Sequence, residues 1–410
     1  MLNHRGVLLF PYTVGMEKLD GVVSLATNSP TAKTGYGVQA KHLVNKMSQS
    51  GLKTAVMSNY GQEGTIGEYK AKGGKVPVYP RGFMPYSQDV LNQWHTIHRS
   101  EWPDKKHAIL TLFDVWVYNK APNIDDIPMI SWVPLDHVSM PPDVYKWLTR
   151  DNVTPIAMSP FGQRQMEEHG IESTYIPHAV DTSVYKPTET IGGMPGRKFM
   201  GVPEDAFLVA FVGANKADGS IHRKGLVENL MGFKQFRETH PDAYLYLHTE
   251  PSNAFGGFVI PRLLRAIGLD ADSVIMPNVQ ELRLGFDDKY MAGVFTAADV
   301  LLGASMGEGF QVPLIEAAAC GTRQIASSWT APMDLASPDS FLVGGQPWWH
   351  EAHQSWWQVP SISSVTEALR MAYEAERGVS AVSIAHAQQF NVEVVWRDHW
   401  MPFFRNYFAS

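Results

Sequence analysis

Short apolar runs without polar alternation recur along this chain, and each is followed by a stretch of helical periodicity. Gly6–Phe10, Thr54–Ser58, Ala108–Phe113, Met129–Val133 and Pro155–Met158 read as strands in the first half. Between them, Ala40, Leu43, Val44 and Met47 fall on one helical stripe that Gly51 ends, and Ser159-Pro160 starts a second helix ending at Gly170. The pattern loosens from Asp181 to Pro203, where prolines and glycines cluster, and then restarts. Strands are expected at Phe207–Val212, Tyr244–His248, Ser273–Met276, Val300–Leu302, Gln324–Ala326 and Phe341–Val343. Helices are expected over Gly225–Glu238, Arg262–Ile267, Lys289–Ala297, from Pro313, and near 365–376 and 392–407. Unalternated strands interleaved with helices require a parallel sheet covered on both faces. The prediction is an α/β chain of two Rossmann-like domains facing each other across a cleft. The boundaries read 1–185, a linker 186–203, and 204–391, with a helix at 392–410 packing back on the first domain. A chain of 410 residues has room for two such domains.

Charge and cysteine content narrow the function. The 34 basic and 41 acidic residues leave a net charge of −7, which excludes a surface built throughout to coat nucleic acid. The one cysteine, Cys320, forms no intrachain disulfide and suits a reducing compartment. No apolar run approaches the roughly 20 residues of a spanning helix. The expectation is a soluble, cytoplasmic protein.

Three segments carry chemistry. Gly307-Glu308-Gly309-Phe310-Gln311-Val312-Pro313 follows the strand Val300–Leu302 and opens a helix. Gly309 and the amides through Val312, at the positive end of that helix, suit a pyrophosphate. Glu316, one turn inside, has the reach and acceptor capacity for a ribose diol, while Glu308 points toward whatever the distal phosphate carries. Arg223-Lys224 precedes a second helix, and two adjacent cations can neutralise a leaving nucleoside diphosphate. Thr34-Gly35-Tyr36-Gly37 is a third, glycine-rich loop of the kind that lets backbone approach phosphates or sugars. The tryptophans 348, 349, 356 and 357, with His350 and His353, read as an aromatic lid packing on the second domain. The spacing of those two histidines alone does not make a zinc site.

Together these segments resemble the retaining GT-B glycosyltransferases, specifically the nucleotide-sugar-dependent GT4 family. Glu308 and Glu316, with seven residues between them, match its glutamate pair, and Arg223-Lys224 matches its basic pair. Trp132–Asp136, Ser159–Gly162 and Ile176–Asp181 are similar to its first-domain landmarks. Ala179 stands where glycine is usual, and Gln311 replaces the common second glycine of the loop. The resemblance implies catalytic roles for Glu308, Arg223, Lys224 and either Asp136 or His137. It implies donor contacts from Gly35, Gly37, Gly213, Arg223, Lys224, Val279, Glu308, Gly309, Phe310, Gln311, Val312 and Glu316. It further implies sugar transfer from a UDP- or GDP-sugar to a hydroxyl acceptor with retention, and no cofactor beyond that co-substrate. Lys and Arg would take the place of a metal. The acceptor stays open: a glycan, a lipid-linked intermediate, a protein, a small metabolite or a hydroxylated nucleic-acid base, the last disfavoured by the net charge. An inactive GT-B domain that only binds a sugar nucleotide, and a sugar-nucleotide epimerase, are the alternatives.

Overall fold

A computed structural model describes residues 18–217, 221–254 and 256–409. The strand expected at Gly6–Phe10 lies outside the described residues. The first sheet comprises β1 (Val22–Thr27), β2 (Lys53–Ser58), β3 (Gly67–Ala71), β4 (Gly74–Tyr79), β5 (His107–Leu112), β6 (Met129–Val133), β7 (Val153–Ala157) and β8 (Thr174–Tyr175). Their order is β3-β4-β2-β1-β5-β6-β7-β8, parallel except for the β3–β4 hairpin at one edge. β1 is buried at every residue, including Ser24 and Thr27. His95 Nδ1 meets Ser24 Oγ at 2.8 Å, and the Thr27 hydroxyl donates to the Leu112 carbonyl at 3.0 Å. Partners supplied by neighbouring elements are what make polar residues tolerable in a central strand.

Residues 186–203 contain a small hairpin, β9 (Thr190–Ile191) with β10 (Met194–Pro195), and the short helix Gly196–Met200. The second sheet follows: β11 (Phe207–Val212), β12 (Ala243–His248), β13 (Val274–Ile275), β14 (Val300–Gly303), β15 (Arg323–Ser327) and β16 (Phe341–Val343). Its order, β13-β12-β11-β14-β15-β16, is parallel throughout. The aromatic segment, read from sequence as a lid, forms an antiparallel hairpin, β17 (Gly345–His350) with β18 (Ser355–Pro360).

Strand order reverses beside β1 in the first sheet and beside β11 in the second. Ligands in open α/β sheets bind at such reversals, outside the carboxyl ends of the strands. These crevices lie between the loops after β1 and β5 in the first sheet and after β11 and β14 in the second. Those are the loops that hold Gly35, Arg223 and Glu308. The terminal residues return to the first sheet, where Trp400 packs edge-on against Trp132 with ring centroids 5.0 Å apart. A π-turn at Trp396–Trp400 interrupts the single helix expected there. Among the described residues no helix is long and apolar enough to cross a membrane.

Candidate active site

The basic pair is locked into the second sheet's crevice by backbone geometry. Gly225 has φ of +59°, and a Cβ there would stand 2.7 Å from the Ala304 carbonyl, so the chain turns sharply only because that residue is glycine. The Met306 amide donates to the Arg223 carbonyl at 2.8 Å, and Asn229 Nδ2 donates to the Ala304 carbonyl at 2.6 Å. These bonds tie the loop after β11 to the loop after β14. Lys224's stem runs beside Gly213, whose Cβ would meet Lys224 Cγ at 3.6 Å.

Glu308 stands between both cations. Arg223 Nη1 donates to Glu308 Oε2 at 2.8 Å and to the Gly307 carbonyl at 2.6 Å, and Lys224 Nζ donates to Glu308 Oε1 at 2.5 Å. The Glu308 side chain is 6% exposed, against 33% for Arg223 and 25% for Lys224. Burial acts to raise the Glu308 carboxyl, but the two cations outweigh it and hold it below the usual range. Burial and the adjacent Arg223 lower the Lys224 ammonium, against the pull of Glu308. The cations thus open toward the cleft while their carboxylate partner lies beneath. Thr330 fixes Glu308 in turn: its Oγ1 accepts from the Glu308 amide at 3.1 Å. Its backbone, at φ +55° and ψ −147°, is strained for a β-branched residue.

The pyrophosphate loop meets the first half directly. A Cβ on Gly307 would lie 2.1 Å from the Asp136 carbonyl oxygen, and one on Gly309 would lie 2.6 Å from Pro134 Cβ. Gln311 occupies the expected glycine position with φ of +74°, so the loop keeps a glycine-like turn at some backbone cost. Its Nε2 donates to the Gly303 carbonyl at 2.8 Å, which offsets part of that cost. Val312 begins the helix Val312–Ala319, in which Pro313 has no N–H and the Leu314 amide donates to the Gln311 carbonyl at 3.0 Å. The Phe310 side chain is turned away into the core between His178 and Phe390, which leaves only its backbone for a donor. Glu316 lies one turn in, and burial pushes its carboxyl up to about 7 while a hydrogen bond from Tyr185 opposes the rise.

From the first half, Asp136 and His137 are brought in together but face different neighbours. Asp136 Oδ2 stands 3.7 Å from Arg223 Nη1, and its Oδ1 is 2.6 Å from His137 Nδ1. Burial works to raise the Asp136 carboxyl, but His137 and Arg223 hold it near about 2. The His137 ring turns from the basic pair, stacks on Trp357 at 4.9 Å and points Nε2 at His350. Gly35 and Gly37 open the helix Gly35–Ser50, with Thr34 Oγ1 accepting from the Gly37 amide at 3.1 Å. Gly35 has no atom within 4 Å of its would-be Cβ and leaves a free backbone face, whereas Gly37 is closed off by the Ala32 carbonyl. Val279 begins a short helix beyond β13, two strands from β11 and so apart from the charged centre.

Sequence reading missed Asp114, at the carboxyl end of β5 on the strand-order reversal. Burial and nearby Asp136 push its carboxyl up to about 6, with Arg223 opposing. An acid directly after a buried central strand was the available signal. A wide depression lined by Asp125, Asp126, Arg150 and Tyr407 lies at the opposite, amino-terminal edge of the sheet and has no comparable charge pairing for a diphosphate.

No family model matches the chain, and no curated protein does either. Solved structures do match. Sucrose-phosphate synthase from Thermosynechococcus elongatus aligns with a TM-score of 0.71 at 16% identity, covering 95% of this chain and 100% of that one. HepE from Anabaena, solved in complex with UDP and glucose, aligns at 0.64 and 14% identity, covering 94% and 100%. An α,α-trehalose 6-phosphate synthase from Burkholderia multivorans aligns at 0.63 and 13% identity, covering 96% and 99%. The shared architecture is GT-B, two Rossmann-like domains, as the sequence reading expects.

Proposed function

We propose that this chain is a glycosyltransferase that moves a sugar from a nucleoside diphosphate sugar to a hydroxyl acceptor with retention, in the manner of the GT4 family. The convergence of Arg223, Lys224 and Glu308 at the crevice of the second sheet, facing Asp136 of the first, carries the reading. Residues 204–391 hold the donor, residues 1–185 with 392–410 hold the acceptor, and 186–203 link them.

The diphosphate lies against Arg223, Lys224 and the amides from Gly309 to Val312, where pre-placed positive charge stabilises the charge developing on the leaving group. Glu308 holds both cations in place from beneath the diphosphate, and Glu316 takes the ribose diol. Asp136 faces the donor, while His137 positions it through their hydrogen bond. Gly35 and Gly213 allow the backbone to approach, Gly37 shapes the turn, and Val279 lines the base. The acceptor attacks on the face that the diphosphate leaves, and a diphosphate oxygen takes its proton, so the enzyme supplies no nucleophile. Two cations at the phosphates make a divalent metal there unnecessary. The buried single thiol of Cys320 suits a reducing, cytoplasmic setting.

UDP-glucose is the first donor to try, since HepE is solved with UDP and glucose; GDP-sugars follow. Release of nucleoside diphosphate that survives EDTA and is lost in Arg223→Ala supports the reading. Donor binding without hydrolysis or transfer would mark a binding protein instead. Activity lost in EDTA and restored by magnesium or manganese would overturn the metal-free chemistry.

A further inference from the structure

The loop after β6 and the hairpin β17–β18 converge on a histidine cluster of which the cleft chemistry engages only His137, through Asp136. His137, His350 and His353 each bring a ring nitrogen within 4.8 Å of the others. His137 and His350 are 4% and 5% exposed, and His353 sits at the more open edge. His137 Nε2 faces His350 Nδ1 at 3.1 Å. Two nitrogens bound to one tetrahedral zinc, at about 2.0–2.1 Å each, lie about 3.3 Å apart, close to this separation; with ring centroids 5.4 Å apart the two nitrogens face each other end-on, and both rings turn to aim at one ion. The widest pair needs to close by only about 1.5 Å, within reach of a side-chain rotation.

The surroundings are those of a ligand set. Asp136 Oδ1, 2.6 Å from His137 Nδ1, makes that nitrogen the proton carrier and leaves Nε2 as the ligand atom. A carboxylate behind a histidine in this way fixes the ring and raises its basicity. Trp357 lies 4.9 Å from His137 and 4.2 Å from His350, and Trp116 lies 5.5 Å from His353, which walls the cluster with aromatic rings.

We propose that His137, His350 and His353 form a site for a zinc-class divalent ion that fastens the hairpin β17–β18 to the loop after β6. Three imidazoles suit zinc and exclude magnesium and calcium, which take oxygen ligands. The fastening extends contacts already there: the Val138 amide donates to the Trp356 carbonyl at 3.0 Å, the Trp356 amide donates back at 2.8 Å, and Ser355 Oγ donates to the Ser139 carbonyl. β18 also reaches the pyrophosphate loop, where the Gln358 amide donates to the Met306 carbonyl at 2.9 Å. An ion here therefore favours the arrangement in which the two halves touch, because it binds that arrangement alone. The inference does not rest on the transferase reading.

The test uses the full chain without a histidine tag, dialysed against zinc sulfate and then metal-free buffer, with no sugar nucleotide present. Wild type should retain about one zinc per chain, melt at a higher temperature than EDTA-treated protein, and give four-coordinate visible bands with Co²⁺. His353→Gln, at the open edge, should fold normally by circular dichroism and lose at least tenfold in zinc affinity; His350→Gln with His353→Gln should retain none. Asp136→Asn should weaken zinc 10–100-fold. Folded wild type that takes up no zinc, or uptake unchanged in the double variant, would overturn the site. Activity lost in EDTA and restored by zinc alone would reflect this fastening, whereas restoration by magnesium bears on the phosphate chemistry.

Discussion

Replacing Gly307 by alanine separates contact between the halves from the chemistry of the charged groups. The new methyl would lie 2.1 Å from the Asp136 carbonyl oxygen and 2.8 Å from Trp357 Cδ1. Non-bonded contacts of carbon are optimal at about 3.5–4.0 Å, so the loops after β6 and β14 must part by at least about 1 Å. Backbone on one side and a packed indole on the other leave no flexible side-chain end to absorb the strain. Overpacking of this kind costs about 1–3 kcal/mol, which leaves the protein folded. A displacement of about 1 Å between reacting groups can cost about 10²-fold in rate. Arg223, Lys224 and Glu308 all sit on the same side as Gly307 and move with it, so diphosphate binding should weaken much less than turnover. The assay pairs steady-state kinetics on the donor with calorimetric titration of UDP and small-angle scattering of the liganded protein. The expected result is a loss near 10² in kcat, UDP affinity within a few-fold of wild type, and a larger radius of gyration. Turnover within twofold of wild type in a folded Gly307→Ala protein would refute the claim that this contact sets the reacting geometry.

Arg223→Ala and Lys224→Ala should each reduce turnover by about 10²–10³ and also lower the melting temperature, since each leaves the buried Glu308 carboxylate with one cation fewer; wild-type rates in both would displace the phosphates from this position. Glu316, its carboxyl pushed up to about 7 by burial, keeps in the folded state a proton that the unfolded chain gives up near the ordinary 4.5. Stability should therefore fall as pH rises between those values, and Glu316→Gln should flatten that slope in melting curves recorded from pH 4.5 to 7.5. The same variant should lose discrimination between ribose and deoxyribose donors. Gly35→Ala, with no atom within 4 Å of the new methyl, should stabilise the chain by about 0.4–1 kcal/mol by thermal melting. If a donor needs that bare backbone, its Michaelis constant rises at the same time.

The sequence alone determined the α/β class, because unalternated strands and helical stripes are local patterns set by which faces must be buried. Thr54–Ser58, Met129–Val133 and Phe207–Val212 stand out as such runs and are β2 (one residue longer), β6 and β11. The pyrophosphate loop and the basic pair were legible for the same reason: glycine, proline and charge at a helix start are local signals. β1 was not read, because Ser24 and Thr27 break its apolar run and are tolerated only through His95 and the Leu112 carbonyl, groups from elsewhere in the chain. Tertiary structure also decided which of Asp136 and His137 faces the basic pair, since the His137 ring is held by the Asp136 carboxylate, by His350 and by stacking on Trp357, groups that mostly come from the far hairpin. The three-histidine cluster lies furthest from local reading. Its members are up to 216 positions apart in the chain, and they meet because the loop after β6 of the first sheet bridges, through Val138 and Trp356, to the hairpin β17–β18 that follows the second sheet.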